Sequence, residues 1–189
     1  MDLMDPRWLD TEQLRPLRRY EYDKMIELGM FTGESIELLH GFLVAREPQG
    51  PEHIDLTGRI HKRLLLALGE RAVIWSHSGF AASDDSEPEP DVSVVPPGDY
   101  RREKASAAYL LVEVSQTSLR KDRSLKADLY ATAGIPEYWV VNLVDRVLEV
   151  RDRPINGSYS RLVTLRAGDR VTLVAFPDVS FDVSAILPD

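Results

Sequence analysis

Tyr109-Leu110-Leu111-Val112-Glu113-Val114 is a near-continuous apolar run with a single carboxylate inside it. Such a run predicts the central strand of a sheet that is covered on both faces. Just upstream, Asp91-Val92-Ser93-Val94-Val95 predicts a second strand, ended by Pro96-Pro97-Gly98. Downstream, Ser118 to Ala133 predicts a helix whose core stripe is Leu125, Leu129 and Ala133, with Gly134 as its stop. Tyr138 to Asn142 and Val147 to Arg151 predict two more strands, joined by a turn at Asp145-Arg146.

The flanks extend this order. Tyr20 to Leu28 predicts a helix with Tyr22, Met25, Ile26 and Leu28 as apolar positions and Gly29 at its end. Ser35 to Arg46 holds two short apolar runs split by His40-Gly41, a hairpin pattern. In Pro51 to Gly69, Ile54, Leu56, Ile60, Leu64, Leu65 and Leu68 recur at helical spacing. Val73-Ile74-Trp75 and Gly79-Phe80-Ala81 read as paired strands. Short strands are expected around Tyr159 to Leu165, Val171 to Ala175 and Val179 to Val183. Residues 1–15 read as an N-terminal arm. The expected fold is α/β (α+β-like): a single domain over 1–189 with a central mixed β-sheet flanked by helices.

Composition narrows the function classes. Of 189 residues, 43% are hydrophobic and 29% charged, which suits a folded domain and excludes a disordered chain. No apolar run reaches the roughly 18 residues of a spanning helix. The N-terminus lacks the basic-then-apolar pattern of a leader. Cysteine is absent, which removes disulfides, thiolate zinc sites, iron–sulfur clusters and cysteine nucleophiles. A cytoplasmic protein without a membrane partner is expected. Lys plus Arg is 23 and Asp plus Glu is 31, a net charge of −8, so the total does not advertise non-specific nucleic-acid binding. Basic clusters at Arg15, Arg18 and Arg19, at Arg101, Arg102 and Lys104, and at Arg120, Lys121, Arg123 and Lys126 read most plainly as solvated faces.

Glu113 is the anomaly. A carboxylate in a buried strand is costly without a cation, a metal or a proton. By strand alternation it shares a face with Tyr109 and Leu111. Asp91 opens its own strand after Pro90, which marks a strand entry. If the two strands are neighbours, these carboxylates converge, and hard oxygen donors suit Mg²⁺ or Mn²⁺. On the following helix, Asp122, Lys126 and Tyr130 lie four apart and share a face beside the core stripe. Spacing alone leaves a plainer reading open and favours it: a turn-capping Asp91, a Glu113 paired with an arginine, and a surface Asp122–Lys126 pair.

The ordered set shifts the balance. Pro90-Asp91-Val92-Ser93-Val94-Val95 comes first, then Leu111-Val112-Glu113-Val114-Ser115-Gln116-Thr117-Ser118. Asp122, Lys126, Tyr130 and Ala133-Gly134-Ile135-Pro136-Glu137-Tyr138-Trp139 follow. From about Tyr20 to Leu187 the chain closely resembles the putative restriction endonuclease family expanded in cyanobacteria, part of the PD-(D/E)XK nuclease superfamily. Glu37-Leu38-Leu39-His40-Gly41 resembles that family's N-terminal motif. The resemblance implies a restriction-endonuclease-like core and a metal-dependent endonuclease that hydrolyses phosphodiester bonds in DNA. It implies Asp91 and Glu113 as ligands of Mg²⁺, with Mn²⁺ able to substitute. It further implies Lys126 as the catalytic lysine and Glu37 as an accessory acid. His53 falls where related chains often carry a histidine. Ser115 stands where the superfamily's basic pattern has lysine, which fits a lysine migrated to the helix, with Lys121 as the rival to Lys126. His40 stands where an acid or amide is common before the glycine. A homodimer, two sites for two strands, is one assembly the resemblance allows.

A reading from another class is a nuclease-fold protein that binds nucleic acid in a regulatory role without turnover. The acidic balance motivates it, and the intact set Asp91, Glu113 and Lys126 speaks against it. No phosphate-binding Gly-rich loop occurs, and His40, His53, His61 and His77 lack helical zinc spacing. Two carboxylates would also suit a glycosidase, but nothing else points to sugar. Tyr138 and Trp139 read as core or interface residues and not as a base-stacking platform.

Overall fold

The apolar run becomes β5 (Leu110–Ser115), third in a six-stranded sheet of order β3-β4-β5-β6-β7-β8. The structure, a computed structural model, describes residues 15–187, so the expected arm falls outside the described residues save for Arg15. The other strands of the sheet are β3 (Val73–Ser76), β4 (Val92–Val95), β6 (Glu137–Asn142), β7 (Val147–Ile155) and β8 (Ser158–Leu165). Only β5 and β6 run parallel within it; the remaining neighbours are antiparallel. Every residue of β4, β5 and β6 is buried, which explains why these segments are continuous apolar runs and not alternating ones.

Two apolar layers cover the two faces. On one, Leu110, Val112 and Val114 of β5 meet Leu56, Ile60, Leu64 and Leu68 of α2 (Pro51–Leu68), a stripe at strict four-residue spacing. The hairpin of β9 (Arg170–Thr172) and β10 (Ser180–Asp182) and α5 (Val183–Ile186) add Val171, Val183 and Ile186 to this layer. On the other face, Leu111 meets Tyr138 and Val140 of β6 and Ala127, Leu129 and Tyr130 of α4 (Ala127–Thr132). Tyr138 and Trp139 are both fully buried, one in each layer. Among the described residues no helix is long and apolar enough to cross a membrane.

Several expectations needed correction. Gly79-Phe80-Ala81 is not a strand; β3 pairs with β4 instead. Phe80 is buried, but its backbone N–H bonds to the Pro88 carbonyl and that of Ala81 to Ala105, which are loop contacts. Tyr109 lies ahead of β5 and packs on the α2 layer against Phe176, opposite to the face of Leu111 and Glu113. In α1 (Arg19–Glu27) only Tyr22 is buried, while Ile26 and Leu28 are exposed. Ile54 and Leu65 of α2 also face outward.

The largest difference lies in the helix after β5. It begins as α3 (Leu119–Lys121), widens into one π turn over Asp122–Lys126, and resumes as α4. Extra residues in a turn rotate the sequence against the sheet. Leu125, expected in the core stripe, is 37% exposed, whereas Asp122 and Lys126 are buried. The polar face of Asp122, Lys126 and Tyr130 therefore points at the sheet, and the plainer reading of a surface Asp122–Lys126 pair does not hold.

Candidate active site

Three elements deliver the polar side chains. The antiparallel register of β4 and β5 sets Val92 against Val112, so Asp91, one residue ahead of β4, lies across from Glu113. The π turn brings Lys126 down onto Glu113. Glu37 comes from β1 (Ile36–Leu39), paired with β2 (Phe42–Ala45) in a hairpin. The turn between these strands has both His40 and Gly41 at positive φ, 50° and 79°. Two-residue hairpin turns of this type favour Asn, Asp or Gly, and His tolerates the left-handed region better than most side chains. A Cβ on Gly41 would also meet the Pro16 side chain at 2.2 Å. His40 thus serves the turn, and its backbone N–H bonds to Ser86 Oγ at 2.8 Å.

Lys126 is 2% exposed and donates to Glu37 Oε1 at 2.8 Å and to Glu113 Oε1 at 2.9 Å. Tyr130, one turn on, donates to the same Glu113 oxygen at 2.7 Å. Glu37 Oε1 also accepts the Glu89 backbone N–H at 2.8 Å, and Lys121 Nζ lies 3.5 Å from Glu37 Oε2. Asp122 does not pair with Lys126. Its Oδ2 accepts from Ser115 Oγ at 2.7 Å and Ser118 Oγ at 2.6 Å. Ser115, which stands where a lysine was expected in the wider superfamily, therefore anchors the start of the π turn. The arginine partner that spacing offered to Glu113 is replaced by a lysine and a tyrosine.

Asp91 is surrounded by donors. Its Oδ2 accepts the Val114 backbone N–H at 2.8 Å and faces His53 Nε2 at 3.0 Å; because the carboxylate only accepts, Nε2 carries the proton. Its Oδ1 faces Gln49 Nε2 at 3.2 Å, Arg46 Nη2 at 3.3 Å and His77 Nδ1 at 3.4 Å. Burial alone would raise the Asp91 carboxyl, but His53, His77 and the Val114 amide hold it well below the usual carboxylate range. Glu113 goes the other way. Burial pushes it up to about 8, and the like charges of Asp122, Asp91 and Glu37 add to this against the pull of Lys126. Burial would lower the Lys126 ammonium, but Glu113, Glu37 and Asp122 hold it raised. The same ammonium, with the Glu89 amide, keeps Glu37 lowered despite its burial.

Part of this cluster lines a cleft of about 310 Å³ whose walls include Asp91, Glu113, Lys126, Lys121, Arg46 and His53. The donor chemistry fits a hard divalent cation. Both donors to Glu113 converge on Oε1, which leaves Oε2, and Asp91 Oδ1 is held only by the longer contacts. A buried carboxyl crowded by like charge is also the kind of group that exchanges its proton for a cation. Among the described residues no three His, Asp or Glu side chains already form a closed cage. A cation held here would rest on two carboxylates and complete its shell with water or substrate oxygens, as Mg²⁺ commonly does.

The cleft thus brings together Asp91, Glu113 and Lys126, with Lys121 also on its wall and His53 on Asp91, whereas Glu37 is fully buried, reaches Lys126 and does not line the cleft. Arg46, Gln49 and His77 were not singled out from sequence as site residues. They sit in connecting segments without periodicity and reach Asp91 only through the tertiary fold. Arg46 directly after the apolar strand Phe42-Leu43-Val44-Ala45 was the available signal. Of the basic clusters, Arg101 pairs with Asp99 and Lys104 with Asp23 and Glu87, away from the cleft.

The family model Uma2, described as "Putative restriction endonuclease", matches residues 19–184. A crystal structure described as a putative nuclease belonging to DUF820, from Anabaena variabilis ATCC 29413, shares this fold with a TM-score of 0.69. It is 18% identical, and the match covers 91% of this chain and 98% of that one. No curated protein matches.

Proposed function

The chain belongs to the Uma2 putative restriction endonuclease family, and on that premise we propose that it is a metal-dependent endonuclease cutting phosphodiester bonds in DNA. The observation that carries the reading is the register of β4 against β5, which sets Asp91 across from Glu113 on a cleft beside the buried Lys126. In this reading Asp91 and Glu113 hold Mg²⁺, or Mn²⁺ in its place. When bound, the cation supplies Lewis acidity toward the phosphate and a stronger nucleophile from water. Lys126 and Tyr130 fix Glu113 through Oε1 and aim Oε2 at the cleft. Lys126 also sets a preorganised positive charge near the position where the phosphate gains negative charge. Glu37, sharing the ammonium, keeps Lys126 in place. We further infer a cytoplasmic protein from its lack of cysteine, and the nuclease reading allows two copies to cut the two strands, which sedimentation would check.

The test joins binding to turnover. Mn²⁺ is titrated by calorimetry into the parent, Asp91→Asn and Glu113→Gln, and each is then assayed on single-stranded and duplex DNA. Saturable binding and cleavage in the parent, both lost in the variants with circular dichroism unchanged, is the expected result. Cleavage that survives Asp91→Asn in clean protein would sink the reading. The protein donors on both Asp91 oxygens favour one rival, a nuclease fold that binds nucleic acid without turnover. DNA binding with no cleavage in either Mg²⁺ or Mn²⁺ would select it.

A further inference from the structure

The five donors around Asp91 are not equivalent. Oδ2 is held by two short contacts, one of them a backbone amide inside the sheet. Oδ1 is held by three long ones, from Gln49, Arg46 and His77. Arg46 is unlike the other two because it has a firmer partner elsewhere. Its Nη1 donates to Glu89 Oε2 at 2.8 Å, while its Nη2 reaches Oδ1 only at 3.3 Å. Its backbone is also fixed, with its N–H on the Ser35 carbonyl at 2.8 Å. Glu89 is fixed in turn by its own amide on Glu37. The guanidinium is thus anchored at one nitrogen and loose at the other, and the loose end lies on the cleft wall.

A guanidinium and a divalent cation cannot both sit on one carboxylate oxygen without strong like-charge repulsion. A planar fork released from a carboxylate matches the oxygens of a phosphodiester. We propose that Arg46 works in two positions: Nη2 occupies Asp91 Oδ1 in competition with a divalent cation and, once displaced, binds the substrate's phosphodiester while Nη1 stays on Glu89. This rests on the metal-dependent nuclease reading above and adds to it the residue that couples metal entry to phosphate capture. Arg46 then lowers the intrinsic metal affinity of the protein alone and raises its affinity for DNA once metal is present.

Mn²⁺ calorimetry on the parent, Arg46→Met, Arg46→Lys and Asp91→Asn tests the first position without any turnover. Arg46→Met keeps the apolar stem and removes the competitor, so its Mn²⁺ dissociation constant should fall by about tenfold, the scale of one charge-assisted contact. Arg46→Lys cannot span Glu89 and Asp91 together and should fall between parent and Arg46→Met; it carries the test if Arg46→Met does not fold. The second position is read from cleavage at saturating Mn²⁺, where KM for duplex DNA should rise about tenfold in Arg46→Met with kcat changed less. A purely structural Arg46 would leave Mn²⁺ affinity equal or weaker in these variants, and that result overturns the proposal while the metal site stands. An unchanged KM removes the phosphate role. Mn²⁺ binding in Arg46→Met but not in the parent supports the competition. No binding in the parent or in any variant overturns the metal reading and this proposal together.

Discussion

At the scale of single residues the site is an unusual concentration of charge in a dry place. Lys126 lies between two buried carboxylates and is the cation that donates to both, beside the neutral donors Tyr130 on Glu113 and the Glu89 amide on Glu37. Removing one member of such a cluster strands the others. Lys126→Met should therefore lose cleavage and also lower unfolding stability by about 3–5 kcal/mol, read by urea denaturation at pH 8. An equally stable Lys126→Met would show that the cluster is not coupled as described. Because of this cost, loss of activity in that variant alone says little about chemistry; the Asp91 and Arg46 variants are the cleaner probes. Glu113 was legible in the sequence because a charge inside an apolar strand has few explanations. Asp91 at a strand entry was a weaker signal that by itself favoured a turn cap, and only the ordered set of motifs singled it out. Of the side-chain donors around Asp91 the resemblance marked only His53; Arg46 and Gln49 lie 45 and 42 residues away from it and no local pattern links them.

Among the elements, the helix after β5 shows where periodicity misleads. A stripe drawn at 3.6 residues per turn makes Leu125 and Leu129 equivalent. The π turn over Asp122–Lys126 separates them, leaving Leu125 37% exposed and Leu129 buried. Leu129→Ala should cost about 2–5 kcal/mol, and Leu125→Ala under about 1 kcal/mol. Similar costs for the two in chemical denaturation would contradict the π turn. Strands were easier to read, since β4, β5 and β6 are buried on both faces and their apolar runs have no other use. Strand β6 carries a pH signature of its own. Burial pushes Glu137 up to about 7 even though the Val174 amide and Trp139 Nε1 donate to it, with Asp152 opposite and Arg161 nearby. Its folded pKa lies above its unfolded value near 4.5, so the folded state holds the extra proton between those values. Stability contributed by the neutral form is present below about pH 4.5 and lost as pH rises through 7, by about 3 kcal/mol in all. Denaturation midpoints between pH 5 and 8 should fall in the parent and fall less in Glu137→Gln. Parallel slopes would assign the trend elsewhere.

For the molecule as a whole, the proposed DNA cleavage has to coexist with acidity. The chain carries −8 overall, and among the described residues many exposed arginines outside the cleft are paired with acids, as with Arg101 on Asp99 and Arg71 on Asp178. Arg46 and Lys121 are the cations on the cleft wall with exposure to a backbone phosphate. Binding of a short duplex to Asp91→Asn should therefore lose affinity only gently with salt, with a logarithmic slope of about −2. Fluorescence anisotropy from low to moderate salt reads this directly, and a slope several times steeper would reveal a cationic surface outside the cleft. The site also draws on distant parts of the chain. Glu37 meets Lys126 across 89 residues of sequence, and Glu113 lies in the one parallel strand pair of the sheet, which needs a whole crossover helix before it can close. A polypeptide still leaving the ribosome has no working site until the crossover is out and folded. A product terminated ahead of Lys126 lacks one as well, so under the proposed nuclease reading such an unfinished copy would be silent toward the DNA of the cell that makes it.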